Sequence, residues 1–253
     1  MDEQYVENNE KQKYDSVGCD HSKLSYYSKS FISFLTPLIR CLEDASCTNS
    51  CCLITGCEIE NGVDLAKAIS MAIGRGYIEF DCSKNNRLGD LCIPFTNMEE
   101  GNIFILSNAN IFIKPEEDYV DLLTNAIMNK KIKLTTGRGP CADHVIINLD
   151  EFKTVIVIGE ANKIPEFMMD LIDLCIDLND YCNEFEKAYI RESFDKRGLA
   201  VKEDVVEEVV NMKLTRKQLA FFLLSTRSKA IELGTREVTH NIIKDFNIEE
   251  MYF

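Results

Sequence analysis

Residues 56–64 stand where a phosphate-binding loop would stand, but they lack its chemistry. They follow a short apolar run that is typical of a buried strand, and they precede a helical pattern that we expect to begin near Gly62. A working loop reads GxxxxGK[ST], and its main-chain N–H groups, lysine and hydroxyl bind the phosphates and Mg²⁺. Gly56 occupies the first glycine position, whereas Asn61, Gly62 and Val63 replace the glycine, the lysine and the hydroxyl residue. The sequence therefore predicts the scaffold of a nucleotide site without its catalytic groups.

Three carboxylates, from Glu58, Glu60 and Asp64, surround this segment. The N-terminus of a helix attracts an anion by about 0.3–1 kcal/mol. Two like charges about 4 Å apart repel by about 4 kcal/mol at an effective dielectric constant of about 20. Because ATP carries several negative charges, repulsion should dominate unless these side chains point away, and Asp64 could instead serve its own helix as a first-turn carboxylate. We therefore expect no cofactor, neither ATP nor Mg²⁺.

The charge of the chain argues against unaided binding to nucleic acid. The 253 residues include 28 basic and 42 acidic side chains, which gives a formal net charge of −14. Binding to DNA requires clustered lysine and arginine that displace the counterions of the phosphates. We expect no direct contact with DNA, and no catalytic residue is predicted.

The 11 cysteines occur without a signal peptide, a pattern that predicts reduced thiols and a cytoplasmic location. Five of them lie between residues 41 and 57 and raise the question of a metal site. Their spacing is not that of paired CxxC motifs and no histidine lies nearby, so we favour buried free cysteines and predict no metal site. No window approaches the roughly 18 apolar residues of a membrane span, so no contact with a membrane is expected.

Apolar runs and helical patterns alternate along residues 24–178, which indicates an α/β domain with a parallel sheet covered on both faces. Residues 1–23 are polar and are expected to form a disordered tail. A helical pattern over residues 25–45 should kink or break near Pro37. We expect strands at 52–55, 77–80, 102–106 and 154–159, helices at 64–74, 90–98 and 116–129, and a hairpin at 131–149.

After residue 178 the pattern is helical only, which predicts a small helical domain over residues 179–253. Helices are expected over residues 183–196, 202–211 and 215–233 and from Thr239 onward, with Thr239 as a plausible N-cap. The whole chain is thus expected to be an α/β core followed by an all-helical unit.

Several strings in co-linear order resemble the RuvB family of AAA+ ATPases, the motors of Holliday-junction branch migration. GDLCIPFTNMEEGNIFIL, from Gly89, looks like the segment that ends in the family's Walker B strand. KLTTGRGPCADHVIINLDEFKTVIVIGEAN, from Lys133, is similar to the presensor hairpin and the sensor-1 strand. KRGLAVKEDVVEEVV and KLTR, from Lys196 and Lys213, resemble parts of the lid domain. The resemblance covers roughly residues 50–250 and implies an AAA+ P-loop NTPase-type parallel sheet followed by a helical lid.

The sequence departs from this family at most of its catalytic positions. Ser107 and Asn108 stand where the Walker B strand of the family ends in Asp-Glu. The segment around residues 168–172, where the resemblance places an arginine finger, contains no arginine. The resemblance implies a sensor-1 role for Asn162 and a sensor-2 role for Arg216, and only Arg216 clearly keeps its chemistry. The winged-helix domain that follows the lid in the family has no counterpart in these 253 residues.

The hairpin resembles that of the family, although the residues at the catalytic positions differ from those of the family. Its tip reads Gly137-Arg138-Gly139-Pro140, a tight turn that would project Arg138. In the family the corresponding hairpin engages the partner RuvA. The hairpin could therefore bind a protein partner, or it could merely close the fold.

Two functions remain open. The first is a catalytically inactive RuvB-like module that acts by binding a RuvA-like protein, a RuvB-like motor or another copy of itself, in recombination or repair. The alternative is a nucleotide-binding AAA+ protein with unusual ligands that acts in branch migration.

Overall fold

The computed structural model describes residues 24–44, 51–84, 88–109, 117–136, 143–158 and 160–244. These residues form two compact units. Leu24 and Ser33–Asp180 belong to the first unit, and Ser25–Ile32 and the residues from Tyr181 onward belong to the second. The predicted N-terminal tail and the tip of the hairpin lie outside the described residues.

The first unit has alternating strands and helices, as the sequence pattern predicts. In chain order the elements are α1 (Lys29–Phe34, which spans the division between the units), α2 (Thr36–Glu43), β1 (Cys51–Thr55), α3 (Ile59–Ala72), β2 (Tyr77–Asp81), α4 (Leu88–Thr96), β3 (Ile103–Ser107), α5 (Glu117–Asn129), β4 (Lys131–Thr136), β5 (Asp143–Asn148), β6 (Lys153–Val157), α6 (Glu166–Met169) and β7 (Leu174–Asp177). The N-terminal helical pattern breaks at Leu35, so that Pro37 lies in the first turn of α2, where its missing N–H has no intrahelical partner to lose.

A five-stranded parallel sheet in the order β2-β3-β6-β1-β7 forms the centre of this unit. All residues of β1 and β3 are buried, as expected for strands covered on both faces. The rings of Phe95, Phe104 and Phe152 pack together on one side of the sheet, with centroids 4.4–6.2 Å apart. The predicted α/β fold with a parallel sheet is confirmed.

One strand of the sheet, β7, was not predicted from the sequence. β7 lies at an edge, beside β1, and only Ile176 of its four residues is buried. An edge strand buries little apolar surface, so its sequence lacks the continuous apolar run of the inner strands.

β4 and β5 form an antiparallel hairpin with six paired positions, from Lys131 with Asn148 to Thr136 with Asp143. Ile132 is buried in the core, and Leu134 and Ile147 pack against it. The hairpin is therefore anchored to the first unit through one side of its base.

The second unit consists of helices and one short pair of strands. Its remaining elements are α7 (Cys182–Asp195), β8 (Ala200–Val201), α8 (Glu203–Asn211), α9 (Arg216–Glu232), β9 (Glu237–Val238) and α10 (His240–Lys244). Tyr27 and Phe31 from the N-terminal segment pack on Phe185 of α7, with centroids 6.0 and 5.9 Å from its ring. These aromatic contacts explain why residues 25–32 belong to this unit and not to the sheet domain.

Among the described residues, no helix is both long enough and apolar enough to cross a membrane.

Candidate functional site

The turn that follows β1 explains why glycine stands at position 56. Gly56 has a φ of +78°, a conformation that side chains with a Cβ rarely adopt. A Cβ on Gly56 would lie 2.2 Å from Oδ1 of Asp177 and 2.6 Å from the main-chain N of Asn179. The same Oδ1 accepts hydrogen bonds from the main-chain N–H and the side-chain amide of Asn179, at 3.0 and 2.8 Å. The glycine is thus required by the contact between two strand ends, without any phosphate.

Helix α3 begins three residues earlier than the sequence analysis predicts, at Ile59 and not near Gly62. The N-cap residue is Glu58, and its C=O accepts the N–H of Gly62 at 3.0 Å. Gly62 and Val63, at the positions of the lysine and the hydroxyl, are buried within the helix. Only three residues remain between the strand and the helix, too few to wrap main-chain N–H groups around a phosphate as the glycine-rich loop does.

The three carboxylates of the segment are exposed, and they do not all face the same way. Glu60 and Asp64 line an open cleft of about 510 Å³ at the N-terminal end of α3, whereas Glu58 does not. The other lining residues come from α3, from β2 and the turn after it, and from the end of β3: Ile59, Val63, Lys67, Glu79, Asp81, Ser83, Lys84, Ser107 and Asn108. The cleft occupies the place where the resemblance puts a nucleotide.

Asp81 is the most strongly held carboxylate of the cleft. Its Oδ1 accepts hydrogen bonds from the main chain and hydroxyl of Ser83, at 2.9 and 2.6 Å, and from the amide of Asn108, at 2.7 Å. Its Oδ2 pairs with Nζ of Lys84 at 3.0 Å. Burial alone would raise the pKa of Asp81, but the hydrogen bonds from Ser83, Lys84 and Asn108 outweigh it and lower the pKa below the usual range.

Asn108 and Ser107 stand at the end of β3, where the family places its Walker B carboxylates. Ser107 is buried, and Asn108 has a φ of 56°, in the left-handed region that asparagine tolerates better than most residues. In that conformation the Asn108 amide donates to Asp81. These two positions therefore tie β3 to the turn after β2 and offer no carboxylate for Mg²⁺.

The cations of the cleft are already paired. Lys67 forms an ion pair with Glu79 at 2.5 Å, and Lys84 forms one with Asp81. With Glu60 and Asp64 included, four carboxylates face two ammonium groups, a net charge of −2. A polyanion such as ATP would meet an unfavourable potential in this cleft.

The remaining predicted site residues lie elsewhere. Asn162 is exposed on a 3₁₀ turn, Ala161–Lys163, and is not among the residues that line the cleft. Arg216 belongs to the second unit, where it is the first residue of α9. A capping box between Thr215 and Gln218 fixes the start of that helix. The hairpin residues Gly137–Pro140 lie outside the described residues.

Several charged and polar residues line this cleft but were not predicted from the sequence: Lys67, Glu79, Asp81, Ser83 and Lys84. Only one local signal was available: Asp81 ends a strand and is followed two residues later by Ser83, a pattern that favours an Asx turn. Lys84 belongs to the same turn, three residues after Asp81. Lys67 and Glu79 come together only because α3 packs beside β2 in the fold.

Cys41, Cys51 and Cys52 are free thiols. Cys51 and Cys52 are fully buried in β1, and Sγ of Cys52 lies 3.6 Å from Sγ of Cys41. Burial raises the pKa of the Cys51 thiol to about 12, so this thiol stays protonated at neutral pH. In the described parts of the chain, no three His, Cys, Asp or Glu side chains converge as metal ligands would.

No known family model matches this chain. Among solved structures, the chain is similar to the Thermotoga maritima RuvB Holliday junction branch migration motor, with a TM-score of 0.60, 12% sequence identity, and coverage of 87% of this chain and 68% of that one. A mutant of the same protein gives a TM-score of 0.62 at 12% identity, over 87% of this chain and 69% of that one. Identity at this level establishes a shared fold and leaves activity open. The chain therefore has the RuvB-like AAA+ P-loop NTPase fold, with a central parallel sheet and flanking helices.

Proposed function

We propose that this protein is a catalytically inactive RuvB-like AAA+ module, a pseudo-ATPase that acts inside the cell by binding another protein. It would act in DNA recombination or repair, the processes in which RuvB-like motors work. The fold supports the RuvB-like part of the proposal, and the chemistry of the cleft supports the inactive part.

The single observation that carries the proposal is the position of Gly62. Its N–H is committed to Glu58 at 3.0 Å, and both Gly62 and Val63 are buried in α3. A lysine and a hydroxyl at these positions would have to point at the phosphates for catalysis. Here the segment is helix, so that binding a nucleotide in the usual way would require the first turn of α3 to unwind.

Calorimetric titration of the full chain with Mg-ATP and Mg-ADP tests the inactive part, with an intact RuvB protein as the positive control. We expect no heat of binding in the micromolar range. Binding at micromolar strength that is weakened by Arg216→Ala would contradict the proposal and favour the alternative, a nucleotide-binding AAA+ protein with unusual ligands acting in branch migration.

The hairpin supports the protein-binding part. Val145 and Ile146 of β5 are 47% and 64% exposed, although Ile132 of the same hairpin is buried. A strand that merely closed the fold would gain nothing from two adjacent exposed aliphatic side chains, whereas an interface would bury them. The partner would be a RuvA-like protein, a RuvB-like motor or a second copy of this chain, and it would not be DNA or a membrane.

Size-exclusion chromatography with light scattering tests this surface, using the chain alone and mixed with a RuvA or a RuvB protein. A complex with one of these partners, or a self-association, should be lost in Arg138→Ala and in Ile146→Glu. Ile231→Glu is the matched control, because Ile231 is 67% exposed on α9 of the helical unit and is not part of the hairpin. Absence of every such complex, or complexes unaffected by both hairpin variants, would overturn this part of the proposal.

A further inference from the structure

The sheet of the first unit has an open edge at β2. Among the described residues, β2 pairs only with β3, in parallel register from Tyr77 with Ile103 to Asp81 with Ser107. The C=O of Gly76 and the N–H of Cys82 both bond toward β3, at 2.8 and 3.1 Å. Because main-chain groups alternate along a strand, those of Ile78 and Phe80 also face β3, and those of Tyr77 and Glu79 face outward. An outward row of this kind is a template for another strand.

A groove runs along this edge between β2 and α4. It has a volume of about 330 Å³, and Ile78, Glu79 and Phe80 form its wall on the strand side. The helix side is formed by Asp90, Ile93, Pro94 and Asn97, which lie at spacings of three and four residues and so share one helical face. Ile93 is 61% exposed there, in contrast to Leu91 and Phe95 of the same helix, which are buried.

The groove also carries a negative charge, at Asp90. Asp90 is half-buried beside these apolar residues, and no described residue forms an ion pair with it. Pro94 stands four residues later in α4 and has no N–H, so the C=O of Asp90 lacks its usual helical donor. Among the described residues that line the groove, there is no lysine or arginine. A cationic side chain is therefore the complement that the groove lacks.

We propose that the β2–α4 groove is a docking site for an extended peptide segment of a partner protein, which adds to β2 as a strand. Its main chain pairs with Tyr77 and Glu79, an aliphatic side chain covers Ile93, and a lysine or arginine meets Asp90. An edge strand with a neighbouring helix is a recurrent arrangement for capturing extended peptides, in which main-chain bonds give affinity and side-chain pockets give specificity. This surface is separate from the hairpin. The docking proposal does not depend on whether the cleft binds a nucleotide.

Selection of a random linear decapeptide library displayed on phage, with the full chain as bait, supplies the probe. The expected result is enrichment of sequences that alternate aliphatic residues with lysine or arginine. A synthetic enriched peptide, followed by fluorescence anisotropy, should bind about three- to fivefold more weakly to Asp90→Asn. It should bind at least about tenfold more weakly to Ile93→Glu, which removes the apolar contact and adds a charge.

Two controls separate strand addition from general stickiness. Ile146→Glu changes an aliphatic residue of similar exposure on the hairpin and should leave the peptide affinity unchanged. A peptide N-methylated at alternate amides on its pairing side should lose binding, because it cannot donate to the edge of β2. Hydrogen exchange should slow at Tyr77 and Glu79 when the unmodified peptide is present. No enriched sequence, equal binding to Asp90→Asn and Ile93→Glu, or full binding of the N-methylated peptide would overturn the proposal.

Discussion

At the scale of single residues, the glycine in the turn between β1 and α3 has a structural reason for its presence. Gly56 combines a φ of +78° with a close approach to Asp177, so that both conformation and space exclude a Cβ. A glycine at this position is therefore no evidence of phosphate binding. The fold needs Gly56 because β1 and β7 end side by side at this point.

Gly56→Ala should lower the free energy of unfolding by about 2–4 kcal/mol, since strain and a clash add together. Gly198→Ala is the matched control, because Gly198 has a φ of +71° but nothing within 4 Å of its missing Cβ. Its loss should be about 1 kcal/mol, from strain alone. Urea unfolding of both variants checks the difference, and equal losses would show that the contact with Asp177 is unimportant.

A buried lysine gives a second prediction at this scale. Nζ of Lys130 donates to the C=O of Ile127 at 2.9 Å and lies 4.0 Å from the centroid of the Phe152 ring. Burial lowers the pKa of Lys130 to about 8. Between this value and the unfolded pKa of about 10.4, the unfolded chain binds a proton that the folded chain does not. The contribution of Lys130 to stability should therefore grow as the pH rises through that window, and it is absent below pH 8.

Lys130→Met should keep the packing and remove this dependence on pH. Urea unfolding between pH 7 and 10.5 measures it as the difference between wild type and variant. Lys131→Met, at the exposed neighbouring position, is the control and should keep the wild-type slope. A Lys130→Met curve parallel to that of the wild type would contradict the assignment.

At the scale of elements, the start of α3 decides the character of the cleft. The first residue of the helix is Ile59, so the segment that would form a loop in an active enzyme is wound into a turn of helix. The carboxylate of Glu60 lies in that first turn, where it is stabilised by the helix dipole. The N-terminus of α3 would favour a bound anion, and the carboxylate of Glu60 already supplies that negative charge.

Hydrogen exchange can locate this helix start directly. The amide of Gly62 bonds to Glu58 and that of Val63 is the next in the helical series, so both should be protected. The amides of residues 59–61 lie in the first turn, where no intrahelical acceptor exists, and they should exchange much faster. Fast exchange at Gly62 and Val63 would mean that the segment is a loop in solution.

In the helical unit, His240 joins two elements through charge. Nε2 of His240 lies 2.9 Å from Oδ2 of Asp204, and Nδ1 contacts the carboxylate of Glu208, one turn along α8. The carboxylates of Asp204 and Glu208 accept hydrogen bonds from the His240 ring, and these bonds raise the pKa of His240. A raised folded pKa contributes stability that is fully present below the unfolded value of about 6.5 and is lost as the pH rises through the folded value.

His240→Gln should therefore flatten the pH dependence of the unfolding of the helical unit between pH 5.5 and 8.5. Circular dichroism in urea provides the measurement. Glu207→Gln is a suitable control, because Glu207 pairs with Lys187 and not with His240. A variant whose stability still falls with rising pH as in the wild type would rule out the histidine contact as the cause.

At the scale of the whole molecule, the proposed lack of nucleotide binding has a consequence for stability. A ligand that binds only the folded chain stabilises it by about 2.7 kcal/mol at a concentration of 100 times its dissociation constant. Mg-ATP at millimolar concentration should therefore leave the Tm unchanged, whereas an intact RuvB protein under the same conditions should gain several degrees. A clear rise in the Tm of this chain would favour the alternative function.

The sequence predicted most of the architecture because buried inner strands and long helices leave a recognisable pattern of apolar residues along the chain. The continuous apolar runs of β1 and β3 and the periodicity of α7 and α8 leave little choice of secondary structure. β7 was missed because an edge strand needs few buried residues. The start of α3 was placed too late because Asn61, Gly62 and Val63 are poor helix formers, so residue type alone gives little sign of the first turn.

The sequence by itself determined the order of the inner strands and the long helices, the RuvB-like fold and the absence of lysine, hydroxyl and carboxylates at the positions where the family needs them, because these follow from residue type and spacing along the chain. Only the tertiary structure decided where the charges of the cleft go. Lys67 meets Glu79 because α3 packs beside β2, and this pair faces the cleft together with Asp81 and Asn108 because β2 and β3 end at the same edge of the sheet. The groove beside β2 likewise exists only in three dimensions, since it depends on which strand is left at the edge and which helix packs next to it.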